Sequence, residues 1–356
     1  MPVAAQNFPT PAEINSDHGA DLRLHACTYC GLVQIPGTPV PYYREVIRAA
    51  AYSPEMEAFR REQFADWIKQ HHLRGKRLLE IGCGRGEYLH LLQAAGVETH
   101  GIEYSPLSVA ACRQAGLSVS RAYLGKSSQR LRQARFDAFA SFNFIEHWPD
   151  PVASLRGIRN NLEDHAIGLI EAPNFDMILR QGLYSEFISD HLAYFTADTL
   201  RYTLQTAGFE ILDCRSIWHD YILSATVRKR PAVDLSLIHT RHEQIECALN
   251  AFLDRFPPQS VAVWGAGHQA LAVIALAGIA RRLRYVVDSA AFKQGKCTPA
   301  THLPIVPPST LKSDPVQAVI VMAAGYSDEV VRIILDQYKH LALQVAVLRD
   351  NKLEIR

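Results

Sequence analysis

The stretch LEIGCGRGEYL, residues 79–89, decides the fold. The apolar run RLLEI (77–81) reads as a buried strand. It runs into Gly82-Cys83-Gly84-Arg85-Gly86, and residues 86–95 then read as a helix closed by Gly96. Glycines allow a tight turn and let a ligand approach the main chain. The helix start adds free N–H groups and a partial positive charge. A dinucleotide-binding turn would use both for a pyrophosphate, with glycines spaced G-x-G-x-x-G. The spacing here is G-x-G-x-G, and Glu80 stands two residues before the first glycine. A carboxylate there repels pyrophosphate and suits a cationic ligand.

The next strand, ETHGIE (98–103), ends in Glu103. A carboxylate about twenty residues past the glycine turn can take both hydroxyls of a ribose. The pattern predicts an adenosine-bearing ligand with a cationic, non-phosphate tail, which S-adenosylmethionine fits. The plainer reading is a structural strand-to-helix turn with no ligand.

Outward from this turn, strand and helix patterns alternate. Ser105-Pro106 opens a helix that Gly116 ends. FDAFASF (136–142) reads as a strand, PVASLRGIRNNL (151–162) as a helix and AIGLIEAP (166–173) as a strand. Thr196 caps a helix that runs to Gly208, and strands follow at 209–214 and 221–227. Upstream, Ser53-Pro54-Glu55 opens a helix with a capping serine, a proline and an acid. Such alternation predicts a largely parallel sheet wrapped by helices. ATVRKR (225–230) is a short basic run, read as a linker. A second alternation follows it: helix 240–255, strand and glycine turn SVAVWGAG (260–267), helix 268–280, then strands at 284–288, 318–323 and 343–348 with a helix at 327–339. The expected class is α/β, with two Rossmann-like domains and a small irregular N-terminal segment. The expected boundaries are 1–52, 53–228 and 229–356.

The bulk figures exclude several partners. The net charge of +1 and the absence of a clustered Lys/Arg stripe give no footprint for nucleic acid. No apolar run reaches the ~18–20 residues of a membrane span, and the N-terminus lacks the pattern of a secretory signal. The seven cysteines lie mostly singly and do not read as a disulfide framework, so a cytoplasmic setting is expected. Oligomeric state is not legible.

LEIGCGRGEYL, GIEYSP (101–106) and FDAFASFNFIEHWPDP (136–151) resemble the successive motifs of class I S-adenosylmethionine-dependent methyltransferases. The resemblance covers residues 75–215 and places Glu80, Gly82, Gly84, Gly86, Glu103 and Asn143 against the cofactor. Three further stretches resemble sugar C-methyltransferases. CTYCGLVQI is similar to the second cysteine pair of their zinc-binding N-terminal domain. EAPNFDMIL through SDHLAYFTADTL is similar to the segment that carries their catalytic residues. AVWGAGHQALAV through THLPIV is similar to their C-terminal domain.

The resemblance implies methylation of a carbon beside the ketone of a nucleotide-linked keto-deoxysugar. A base removes the proton and the enolate takes the methyl group, so the base must sit within hydrogen-bond reach of that proton. His191 aligns with the family's catalytic histidine, Asp190 with the acid before it, and His147 with a histidine that meets the sugar oxygen. Histidine suits the task because its ordinary pKa lies near neutral. Asn174 and Tyr194 are implied at the acceptor, and Gly265, His268 and Lys293 of the C-terminal domain at the nucleotide-sugar.

Two departures bear on this. Where the family reads Tyr-His-Glu-His, this chain has Ile188, Ser189, Asp190 and His191, so the tyrosine hydroxyl is missing. Tyr184 or Tyr194 is the candidate replacement. In KQGKCTPATHLP, Ala300 stands where the family has glycine. Transfer to oxygen or nitrogen of a sugar or another small metabolite is the alternative reading. A non-catalytic S-adenosylmethionine-binding protein is the second. A structural zinc needs four ligands, and Cys27 and Cys30 form one pair. The expectation is no metal there, with a shortened start or a site completed by His18 or His25 as the other accounts.

Overall fold

The computed structural model describes residues 9–37, 39–40, 44, 53–349 and 352–356. The chain folds into two compact units, Met1–Ala232 and Val233–Arg356.

In the first unit the strands are β1 (His25–Ala26), β2 (Val33–Gln34), β3 (Arg77–Ile81), β4 (Glu98–Glu103), β5 (Val119–Arg121), β6 (Phe136–Phe142), β7 (Leu162–Pro173), β8 (Ala193–Tyr194), β9 (Phe209–Ile217) and β10 (Ile222–Lys229). The helices are α1 (Pro54–Gln70), α2 (Glu87–Ala94), α3 (Pro106–Gln114), α4 (Pro151–Arg159), α5 (Phe175–Gln181) and α6 (Ala197–Thr206). Seven strands form one sheet in the order β5-β4-β3-β6-β7-β10-β9. β5, β4, β3, β6 and β7 run parallel, and β10 is antiparallel to both β7 and β9. Successive strand residues point to opposite faces. Leu79, Ile81 and Phe139 thus pack with Leu155, Ile158 and Leu200 of α4 and α6. Leu78, Ala138 and Phe142 pack on the other side with Phe64, Trp67 and Leu92 of α1 and α2.

The helices begin where the caps predict. Ser53, Ser105 and Thr196 accept from the amides of Met56, Ser108 and Thr199. The basic run at 225–230 differs from its reading as a linker. It lies in β10, where Ala225 and Val227 are fully buried. Lys229 is buried too; its ammonium donates to the Leu162 carbonyl at 2.8 Å and pairs with Asp164 at 3.0 Å. A lysine stem lies along apolar surface while its head finds oxygen, so a basic residue does not end this strand.

A second, three-stranded sheet, β1-β2-β8, joins the cysteine hairpin to the segment after His191. Val33 pairs with Tyr194, and the Ile35 amide donates to the Leu192 carbonyl at 3.0 Å.

The second unit comprises α7 (Ser236–Leu253), β11 (Val261–Trp264), α8 (His268–Leu276), β12 (Leu283–Val287), β13 (Ile305–Val306), α9 (Thr310–Ser313), β14 (Ala318–Val321), α10 (Ser327–Gln337), β15 (Gln344–Arg349) and β16 (Lys352–Ile355). Its sheet order is β13-β12-β11-β14-β15-β16, parallel except for β16. No helix among the described residues is long and apolar enough to cross a membrane.

Candidate active site

The site lies at the C-terminal ends of β3, β4, β6 and β7, where a doubly wound sheet places its ligands. Gly82, directly after β3, has φ +68°, and a Cβ there would stand 2.5 Å from the Phe144 ring. No side chain fits, so the turn stays bare toward a ligand. Gly86 has φ +89° and starts α2. Glu103 ends β4 with its carboxylate oriented by main-chain donors. The Gly84 amide reaches Oε2 at 3.0 Å, and the amides of Tyr104 and Ser105 reach Oε1 at 2.8 Å each. Ile81, Ile102, Leu124 and Phe144 wall the hollow beside it. The Arg44 guanidinium stacks over the rings of Tyr104 and Tyr123, at 5.4 and 5.3 Å. A bare glycine turn, a fixed carboxylate and apolar and aromatic walls fit the adenosine of S-adenosylmethionine. Glu80 is fully buried on β3. Asn143, just after β6, has φ +46°, and its amide donates to the Glu171 carbonyl at 3.0 Å.

Beyond this hollow, two segments are stitched together. Residues 145–147 form a single turn of 3₁₀ helix after β6, and residues 190–192 precede β8. The Leu192 amide donates to the Glu146 carbonyl at 2.7 Å, and His147 Nδ1 lies 2.8 Å from the Asp190 carbonyl oxygen. The rings of His147 and His191 meet edge-on, with centroids 4.8 Å apart. Glu146 Oε1 is 3.8 Å from His147 Nε2. The structure therefore brings His147, Asp190 and His191 together and adds Glu146, their neighbour in the motif FDAFASFNFIEHWPDP.

The two imidazoles are not near-neutral bases here. Burial pushes His191 down to about 3, with His147 adding to the effect. Burial also lowers His147, against the pull of the Asp190 carbonyl and carboxylate. Both are held in the neutral form.

Of the two candidate tyrosines, Tyr194 has its ring 6.1 Å from that of His191. Tyr184 is 84% exposed. The Tyr194 hydroxyl accepts from the Ile188 amide at 3.0 Å and donates to its carbonyl at 3.2 Å, and burial pushes its pKa up to about 12. Asn174 works within the fold: it caps α5 by accepting from the Met177 amide, and its Nδ2 donates to Asp220. Tyr221, missed in the sequence, donates to Glu186 at 2.7 Å.

In the second unit, Gly265 has φ +124°, and a Cβ there would meet the Met322 carbonyl oxygen at 2.5 Å. Asp288, at the end of β12, accepts from the Ala266 and Ala290 amides at 2.8 Å each and pairs with Lys293 at 2.9 Å. Lys293 thus ties two turns of its own unit together. His268 is exposed at the start of α8. Cys27 and Cys30 are free thiols in the hairpin turn, and amides of residues 29 and 30 lower the Cys27 thiol. Among the described residues, neither His18 nor His25 joins them in a cluster of three ligands.

The strand order with a reversed β10, the bare glycine turn and Glu103 define the class I methyltransferase fold. A family described as a methyltransferase domain matches residues 56–213, and one described as a C-methyltransferase C-terminal domain matches residues 238–341. A probable S-adenosylmethionine-dependent methyltransferase of Mycolicibacterium smegmatis is 26% identical over 161 residues, 45% of this chain and 62% of the relative. A ubiquinone biosynthesis O-methyltransferase of Paraburkholderia phymatum is 35% identical over 91 residues, 24% of this chain and 39% of the relative. The chain thus spans less than two thirds of the length of either. Among solved structures, an S-adenosylmethionine-dependent methyltransferase from Clostridium acetobutylicum has 13% identity and a TM-score of 0.42, covering 53% of this chain and 96% of that one. The first unit thus carries a class I S-adenosylmethionine-dependent methyltransferase domain, and the second carries a C-methyltransferase C-terminal domain.

Proposed function

We propose that this protein transfers a methyl group from S-adenosylmethionine to carbon, on a small keto-bearing acceptor, with a nucleotide-linked keto-deoxysugar as the leading candidate. The observation that carries this is the pairing of a class I domain with a C-methyltransferase C-terminal domain at residues 238–341. The cluster of buried Glu146, His147 and Asp190 with the partly buried His191 supports it.

S-adenosylmethionine supplies an electrophilic methyl group on a sulfonium. The glycine turn and Glu103 bind and orient the adenosine end. His191 is the cluster imidazole with residual exposure, which supports it as the one that meets the acceptor. Its neutral nitrogen receives a hydrogen bond or a proton from the acceptor. Removing a proton beside a ketone with so weak a base requires that the developing oxyanion be stabilised at the same moment. Positioning and electrostatics then do most of the work of an in-line transfer.

Transfer to oxygen is the second reading. It is favoured by Ile188, which removes the family tyrosine, and by the engagement of the Tyr194 hydroxyl with that same residue. A hydroxyl acceptor needs no carbon acid.

The test is incubation in heavy water with a panel of nucleotide-linked 4-keto-deoxysugars, with and without S-adenosylmethionine, read by mass. Deuterium uptake beside the ketone followed by methyl gain at that carbon is expected. Methyl gain on a hydroxyl without exchange would replace the carbon reading with the oxygen one. Cofactor binding with no transfer to any acceptor would support a non-catalytic binding protein.

A further inference from the structure

We infer that Glu146, His147 and His191 hold a divalent metal ion at the acceptor end of the site. The ion's binding stands on geometry alone, and its role in catalysis rests on the methyltransferase reading above.

One ligand atom from each of the three residues can be chosen so that all lie within 4.8 Å of one another. Donors sharing one ion, with bonds of about 2.1 Å, stand roughly 3–4 Å apart. Closing the set takes side-chain rotation on the scale of an ångström.

The hydrogen-bond pattern at His147 then fixes which of its atoms is available. Nδ1 faces the Asp190 carbonyl oxygen at 2.8 Å. A carbonyl only accepts, so Nδ1 carries the hydrogen and Nε2 keeps its lone pair. That lone pair is 3.8 Å from Glu146 Oε1, with side-chain exposures of 5% and 3%. Both atoms lie out of water and both are donors a cation between them would take.

An imidazole anchored through its other nitrogen by a backbone carbonyl is also how metal-ligating histidines are oriented. Two imidazoles and one carboxylate suit first-row divalent metals better than magnesium or calcium, and they leave coordination positions open. An acceptor oxygen can take one of these, where the ion polarises it. Polarisation of that oxygen would stabilise a developing oxyanion.

The test uses the full chain carrying Cys27→Ser and Cys30→Ser, which removes the thiol pair as a competing site. The protein is stripped with EDTA and titrated with Co2+, read by d–d absorption, and with Mn2+, read by paramagnetic resonance. Neither acceptor nor S-adenosylmethionine is present. One ion per chain is expected. Glu146→Gln and His191→Ala should each weaken it by at least about tenfold, with circular dichroism and S-adenosylmethionine affinity unchanged. Substoichiometric binding at millimolar ion, or equal affinity in both variants, would overturn the site. If Glu146→Gln fails to fold, His191→Ala on the more exposed segment decides alone. Stoichiometric metal with no methyl transfer to any acceptor would uphold the ion and sink the methyltransferase reading. Methyl transfer by a protein that binds no ion would do the reverse.

Discussion

Replacing Arg60 tests how the floor of the first unit is held. Arg60 on α1 and Glu171 on β7 have fully buried side chains, with Nη1 and Oε2 2.6 Å apart. The guanidinium also lies against the rings of Tyr88 and Phe142, at 5.0 and 5.4 Å. Burial opposes its charge, but Glu171 and Tyr88 outweigh that and hold its pKa above the ordinary value. Glu171 additionally accepts from Gln63 Nε2 at 2.6 Å and from Ser224 Oγ at 3.2 Å. Arg60→Met removes the cation and leaves a buried carboxylate with two neutral donors.

Breaking a buried pair from one side costs about 3–5 kcal/mol. The two surviving hydrogen bonds put the expected loss near the lower end, about 3 kcal/mol. For a domain of this size that is a fall in Tm of about 6–12 °C. Arg60→Met combined with Glu171→Gln removes both charges and should cost only about 1 kcal/mol. Urea unfolding of the three proteins measures this. A single variant within about 1 kcal/mol of wild type, or a double variant that loses more than the single one, would refute the reasoning.

Three further outcomes are expected. Ala300 occupies φ +62°, the left-handed region, at the position where the resembling family carries glycine. Ala300→Gly should relieve about 1–2 kcal/mol of strain and give back about 0.4–1 kcal/mol to the unfolded chain, a net gain near 1 kcal/mol read by urea unfolding; a loss would show that the turn is not strained. Glu103→Gln keeps the shape but cannot accept from the amides of Gly84, Tyr104 and Ser105 with a full charge. It should weaken S-adenosylmethionine binding by at least about tenfold in calorimetry, and unchanged affinity would remove Glu103 from the cofactor site. Tyr194→Phe deletes a hydroxyl that serves only Ile188 among the described residues, so it should cost about 1 kcal/mol of stability and leave turnover near wild type. Loss of turnover with stability intact would make that hydroxyl part of the chemistry.

The strands and helices around the glycine turns were legible because each has a period, a cap or a glycine that a single sequence displays. ETHGIE and FDAFASF coincide with β4 and β6 to the residue. The elements missed are short or depend on a distant partner. β8 is two residues long and exists because Val33 and Gln34 pair with it. β10 continues through Arg228 and Lys229 because Leu162 and Asp164 receive the lysine head, a contact 67 residues away in sequence for the carbonyl. Arg60 and Glu171 were invisible for the same reason, since nothing local marks a charge for burial. At the site, the motifs point to His147 and His191 but not to their neutral state, which depends on mutual contact and burial.

The same distinction explains how the departures at 188–191 are tolerated. Ile188 is engaged through its main-chain amide and carbonyl, which hold the Tyr194 hydroxyl. Asp190 is engaged through its carbonyl, which holds His147. A change of side chain at either position leaves those bonds in place, so glutamate can give way to aspartate and tyrosine to isoleucine while the two segments stay stitched. His191 is different: its own ring meets His147. Of these three positions, the one that matches the resembling family meets His147 through its ring, and the two that depart from it are bonded through the backbone. Those main-chain bonds do not depend on the side chains at 188 and 190. The side chains there are free to set which acceptor the imidazoles meet, which makes Ile188→Tyr the substitution with which to ask whether carbon or oxygen is chosen: restoring the hydroxyl should raise deuterium exchange beside a ketone relative to methyl transfer onto oxygen, and an unchanged ratio would place the choice elsewhere in the site.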